Sequence, residues 1–301
     1  MPAQHLDTLF LQLRQRPKLG WLLVLAYSTL VTLPHQPVQD FVAWLVTVLG
    51  RANVYRIAAT VGLLIGAALT WLLVNVLKKK KAEHNASGMV ARLWLLTFVL
   101  IVGTWAILTV NNTELVHYPQ YFPTGFLVMV LTGSPIETLA WVTLFAGIDE
   151  GFQYAHLHAG WGIPFDFNDI YMDLLGGALG MLLAAVILGP KKTSSGQGAR
   201  NWLHSVFRRP GVLVQISIVI VSLILLASGH LALYDEHSDP RHWFVMSRKI
   251  PQAFWFFDET WGPRTIQTLS PIEGPILIVL TIAAYAVLDR RFWQRANTPT
   301  P

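Results

Sequence analysis

Cysteine is absent from the 301 residues, and charge is scarce, at 13% of positions. The first absence excludes disulfides, thiolate metal sites, covalent haem attachment and a cysteine nucleophile. The second leaves roughly half the charged fraction of an ordinary soluble domain, which is about 25%. What fills the chain instead is apolar: 53% hydrophobic residues, with 12 Trp. A helix needs roughly 20 apolar residues to cross the hydrocarbon. Windows of that kind place spans near 19–33, 57–77, 93–110, 118–133, 135–152, 169–189, 212–233 and 271–288, with no long stretch left over for a soluble enzyme domain. The expectation is an all-α, polytopic transmembrane helix bundle of about eight spans.

Arg14, Arg16 and Lys18 precede the first span, as in a secretory signal peptide, but Pro34-His35-Gln36 follows it with no small-x-small cleavage site. The segment is expected to be retained as a helix. Residues 41–50, "FVAWLVTVLG", are too short to cross unaided and suit an interfacial or re-entrant piece. Basic residues then orient the chain. With both termini cytoplasmic, 16 of the 22 Lys and Arg lie inside, among them Lys78 to Lys81, Lys191, Lys192, Arg208, Arg209, Arg290 and Arg291. The opposite orientation leaves 6 inside, so the positive-inside rule selects the first, a multi-pass protein of the inner membrane. The acids follow, with 13 of 17 on the outer side. The net charge of +5 thus divides into about +12 inside and about −7 outside, and an acidic outer face prefers cationic partners over nucleic acid.

Residues 190–211, "PKKTSSGQGARNWLHSVFRRPG", replace the apolar pattern with Gly, Ser, Lys and Arg and form a cytoplasmic linker. "GPKKTSSG" lacks the spacing of a phosphate-cradling loop. The segment 234–270 carries Trp243, Phe244, Phe254, Trp255, Phe256, Phe257 and Trp261. Aromatics at this density beside a span fit the headgroup zone, and a lid over an outer-face site is the alternative. "SPIE" occurs at 134–137 and again at 270–273. An inverted repeat is one way to read it, but four matching residues followed by dissimilar sequence fit coincidence better.

Three helix ends bring polar groups to the outer side. The fourth span opens with "HYPQYFPTG", in which His117 and Tyr121 are four residues apart and share a face. The fifth ends in "DEGFQYAH", where Asp149, Gln153 and His156 share a face if the helix continues that far. Glu150 lies beside Asp149. The sixth opens with "DFNDIYMDLLGGALG", where Asp166, Asp169 and Asp173 repeat at i, i+3 and i+7. Asp173 falls inside the apolar run, where a charge faces a polar cavity or a partner. Gly176, Gly177 and Gly180 follow, and Gly176 with Gly180 forms a small-xxx-small pair that admits a neighbouring backbone. Carboxylates gathered this closely compete for protons, so the cluster is expected to retain some at neutral pH.

His117 with Tyr121, then Asp149, Glu150 and Gln153, then Asp169 and Asp173 ahead of Gly176, Gly177 and Gly180, resemble the VanZ-like family of small membrane proteins. The resemblance covers residues 91–189. It divides the chain into an N-terminal segment of two spans (1–90), a VanZ-like core of four spans (91–189), the linker (190–211) and two C-terminal spans with the aromatic outer loop (212–301). Two departures stand out. Many members carry a basic pair between the second and third motifs, where this chain has "AHLHAGWGIPFDF" without arginine, and the usual asparagine is Asp173 here. A role resting on that arginine, such as a fork on phosphate or carboxylate, does not transfer. The resemblance implies a cell-envelope role, linked through the family's name to resistance to teicoplanin-type glycopeptides, without a settled reaction.

The sequence leaves several functions open. As an enzyme, Asp149 or Glu150 with Asp169 would be general acid and base on a lipid-linked or envelope substrate, with His117 as proton carrier. A divalent metal would add His156 and His158 to the carboxylates as ligands. As a binder, the same groups with Tyr121, Gln153, Asp166 and Asp173 would cap a pocket for a lipid headgroup or a glycopeptide, or simply join three helices. As a transporter, protons or a cation would pass Asp149, Asp169 and Asp173 toward Glu137, about 18 Å along the fifth span. Glu137 fits a capping box with Ser134 better.

Overall fold

The computed structural model describes residues 10–80, 87–109, 112–157, 165–188, 202–234, 241–247, 255–257 and 265–296. The helices are α1 (Pro17–Thr32), α2 (His35–Leu49), α3 (Arg51–Lys80), α4 (Ser87–Ile107), α5 (His117–Thr132), α6 (Pro135–Phe152), α7 (Phe167–Leu188), α8 (Trp202–Val206), α9 (Pro210–Ala227) and α10 (Glu273–Ala296). A 3-10 segment, Asn112–Val116, leads into α5, and a π-turn, Gln153–Leu157, extends α6. Two short strand pairs accompany them: β1 (Leu231–Ala232) with β2 (Phe244–Val245), parallel, and β3 (Trp255–Phe257) with β4 (Thr265–Gln267), antiparallel. The protein is all-α in class. Arg51–Lys79, Gly88–Ile107, Phe167–Leu188 and Pro210–Ala227 are long and apolar enough to cross a membrane.

Hydrogen bonds between helices give their directions. Tyr27 of α1 donates to the Gln120 carbonyl of α5 at 2.7 Å, while Arg14, ahead of α1, donates to Val130 O at 2.9 Å. The two helices therefore run antiparallel. Trp94 of α4 donates to Thr70 of α3 at 3.2 Å, and Asn112 donates to Tyr55 O at the start of α3. Gln215 of α9 donates to Ala140 O of α6, and Tyr171 of α7 meets Thr281 of α10 at 3.1 Å. The long helices thus alternate in direction, so that one end of the bundle gathers residues 112–121, 149–154, 165–173 and 267–270. The other end gathers Arg14, Ser134, Arg209 and Asp289.

At that second end the Asp289 carboxylate, 2% exposed, is fully engaged. It accepts from Ser134 Oγ at 2.8 Å, Arg209 Nη1 at 2.6 Å and Trp202 Nε1 at 2.7 Å. One buried acid therefore clasps α6, α8, α9 and α10 together, its charge matched by arginine and its lone pairs by donors.

The centre of the bundle is α7, whose residues from Ile170 to Val186 are buried throughout. An apolar helix buried all round needs close neighbours, and its glycines supply the room. A Cβ at Gly176 would overlap the Tyr118 backbone, and one at Gly180 the Phe122 carbonyl. A Cβ at Gly125 of α5 would in turn meet the Gly177 carbonyl. Helices α5 and α7 therefore touch backbone to backbone, as small residues permit in a membrane. The outer helices are the reverse. Leu63, Trp71, Leu95, Leu223 and Val279 are among many large apolar side chains more than half exposed, the pattern of a surface solvated by lipid rather than water.

Both "SPIE" stretches are helix starts. Ser134 Oγ accepts from Glu137 N at 3.2 Å. Ser270 Oγ accepts from Glu273 N at 3.1 Å while Glu273 Oε2 accepts from Ser270 N at 3.0 Å, the reciprocal capping box. Local capping chemistry accounts for the repeated motif without an internal symmetry. Residues 41–49 belong to α2, with Gly50 just past its end; the helix begins earlier than its apolar stretch, at His35, and buries none of its residues.

Candidate functional site

The site lies at the end of the bundle where α5 and α7 begin and α6 finishes. His117 is the first residue of α5 and is 5% exposed. Its Nδ1 stands 3.0 Å from Asp173 Oδ1 and its Nε2 3.4 Å from Asp169 Oδ1. The i, i+4 spacing on α7 turns both carboxylates toward one imidazole. Asp173 is 2% exposed, whereas the Asp169 side chain is 20% exposed and forms a rim.

One turn further along α5, Tyr121 donates to Asp149 Oδ2 at 3.3 Å. Asp149 is 1% exposed, and its second oxygen, Oδ1, has no hydrogen-bond partner. The nearest basic atom to it is His35 Nδ1, at 4.0 Å, which is an ion-pair distance too long for a hydrogen bond. Glu150, the adjacent residue, is also buried and accepts from the Asp166 backbone at 2.8 Å. Asp166 in turn accepts from Asn168 N at 2.8 Å and so tightens the first turn of α7. Burial pushes the Asp166 carboxyl up to about 7, and the Asp169 charge pushes in the same direction, against the pull of the Asn168 amide and His117.

The four candidate acid–base groups, Asp149, Glu150, Asp169 and His117, thus gather with Tyr121, Asp166 and Asp173. Gln153 is buried one turn beyond Asp149. His156 does not join them. The chain winds into a π-turn at Gln153, which moves His156 off the Asp149 face; it is exposed and lies against the Phe152 ring at 5.2 Å. His158 lies outside the described residues. Among the described residues no group of three His, Asp or Glu is arranged to hold a metal ion.

Two participants escaped the sequence reading. His35 is remote in sequence and reaches Asp149 because the chain turns at Pro34 and starts α2 there. Asn168, 4% exposed, is a hub. Its Nδ2 donates to Leu108 O and Gln267 O at 2.9 and 2.8 Å, and its Oδ1 accepts from Leu269 N at 2.8 Å. It ties α4, α7 and the approach to α10 beside the acidic cluster. A short polar residue among the aspartates is the only signal for it.

Part of the aromatic segment packs on this end. Phe165 N donates to Met246 O at 2.7 Å, and Tyr154 donates to Val245 O. Phe165 and Phe244 stand edge to face at 6.0 Å, and Tyr154 lies 5.1 Å from Phe244. Residues 244–247 therefore cover the chain leaving α6 and entering α7. Phe254 and Trp261 lie outside the described residues.

Comparison with family models, with curated proteins and with solved structures finds no match to this chain.

Proposed function

We propose that this chain is a VanZ-like integral membrane protein of the cell envelope whose outer-face acidic and histidine pocket binds, or acts on, a lipid-linked substrate. In this reading the eight helices α1, α3, α4, α5, α6, α7, α9 and α10 cross the inner membrane while α2 does not, both termini are cytoplasmic, and the cluster faces outward. The charge distribution supports that orientation, because Arg14 and Arg209 stand at one end of the bundle, where Arg209 pairs with Asp289, and the clustered carboxylates Asp149, Glu150, Asp166, Asp169 and Asp173 stand at the other. A link to glycopeptide resistance is part of the proposal through the family resemblance alone.

The observation that carries a binding role is Asp149 Oδ1: a buried carboxylate oxygen without a donor, beside a rim opened by Asp169 and His35. Buried polar atoms are nearly always paired, and an exception marks a place for a missing donor. The competing reading is a packing network, favoured by His117, whose two nitrogens both face carboxylates. Substituting Asp149→Asn with Asp169→Asn separates them. The pocket reading expects a deletion strain carrying the variant to keep its envelope phenotype although the protein reaches the membrane in normal amount. Disappearance of the protein itself would support packing, and full complementation would sink the pocket.

A further inference from the structure

Resting on that binding role, we propose that the pocket receives the primary ammonium of a lipid headgroup from the leaflet beside α2, with Asp149 Oδ1 as its acceptor. The donor chemistry comes from the site. Asp149, Glu150, Asp166, Asp169 and Asp173 stand against His35 and His117, and no lysine or arginine ion-pairs with them among the described residues. An ionised carboxylate only accepts, so its occupant must bring N–H or O–H groups, and the surplus of acids selects a cation. A primary ammonium has both charge and three donors. A choline headgroup has the charge and no N–H, and a glycerol headgroup has donors on an anion.

The route comes from α2. Its first residue, His35, neighbours Asp149, and its last leads through Gly50 into α3, whose Tyr55 carbonyl is held by Asn112 just before His117. Both ends therefore sit at the site end of the bundle, and the helix lies across the bundle rather than through it. Gly50, at φ 79°, makes the sharp turn back. Along α2, Val38, Phe41, Trp44 and Val48 are all more than half exposed, with Phe41 and Trp44 stacked at 5.7 Å. Gln36 and Asp40 bond each other at 2.8 Å. An apolar edge carrying Trp and Phe with polar residues beside it is the composition of a helix lying in the headgroup zone. A lipid alongside α2 brings its headgroup to the depth of His35 and the Asp169 rim, the two partly exposed borders of the pocket.

The test is native mass spectrometry of the full chain released from nanodiscs containing equal phosphatidylethanolamine, phosphatidylcholine and phosphatidylglycerol. The expected result is phosphatidylethanolamine retained about tenfold over each of the others, as one charge-assisted hydrogen bond provides. Asp149→Asn should abolish the preference; if that variant does not fold, the ranking in the wild type decides alone. Equal retention of phosphatidylglycerol or phosphatidylcholine overturns the ammonium while leaving a lipid pocket. Displacement of the lipid by millimolar free ethanolamine alone overturns the membrane route. Retention of no lipid overturns this inference, and only if the Asp149→Asn with Asp169→Asn variant also complements fully does the pocket reading fall with it.

Discussion

Asp166 is the one member of the acidic cluster that lies just outside a helix, and its environment makes a stability prediction. Its carboxyl is pushed from 3.8 up to about 7, first by burial and then by Asp169. A raised acid favours the folded state while protonated, in full below its unfolded value, and that contribution is lost as the pH climbs through about 7. The thermal midpoint in detergent should therefore fall between pH 5 and pH 8, and Asp166→Asn should flatten that slope. A variant with an undiminished slope would move the effect elsewhere in the cluster. His117 and Asp149 show what single residues reveal at different levels. The i, i+4 pairings of His117 with Tyr121 and of Asp169 with Asp173 are legible in sequence, since helical period alone places them. The meeting of His35 with Asp149 is not, because it depends on how two helices remote in sequence pack.

At the scale of elements, the contact of α5 with α7 holds the site. Gly125, Gly176 and Gly180 are packed so closely that one added methyl group meets backbone, and at Gly177 it meets the Val142 side chain of α6. Gly180→Ala should cost about 1–3 kcal/mol through overpacking, and it should loosen His117 from Asp173 by separating the helix starts. Chemical unfolding in detergent checks the first effect and lipid retention the second; an unchanged midpoint would mean that the two helices part at no cost. Helix existence was well marked by apolar runs, and the second and eighth spans of the sequence reading correspond to Arg51–Lys80 and Glu273–Ala296. Ends were harder. The π-turn after Phe152 swings His156 outward, and no local residue announces it. The two "SPIE" stretches show the converse: a motif that invites a global symmetry is explained within four residues by capping.

For the whole molecule, the lack of cysteine makes orientation directly measurable. Single substitutions Gln36→Cys and Lys79→Cys lie on exposed residues at the two ends of the N-terminal helices. An impermeant maleimide on intact cells should label Gln36→Cys, and Lys79→Cys only after permeabilisation; the reverse pattern would turn the cluster to the cytoplasm. Composition and hydropathy determined on their own that the chain is helical and apolar enough for a membrane, because burying backbone in lipid leaves helices as the solution for long apolar runs. The same patterning placed acids near three helix ends. Which acids face one another, which oxygen lacks a donor, and that α2 lies across the bundle while α7 fills its centre were decided by tertiary packing. Side-chain pairing across helices depends on their rotation and depth, and no local periodicity encodes either.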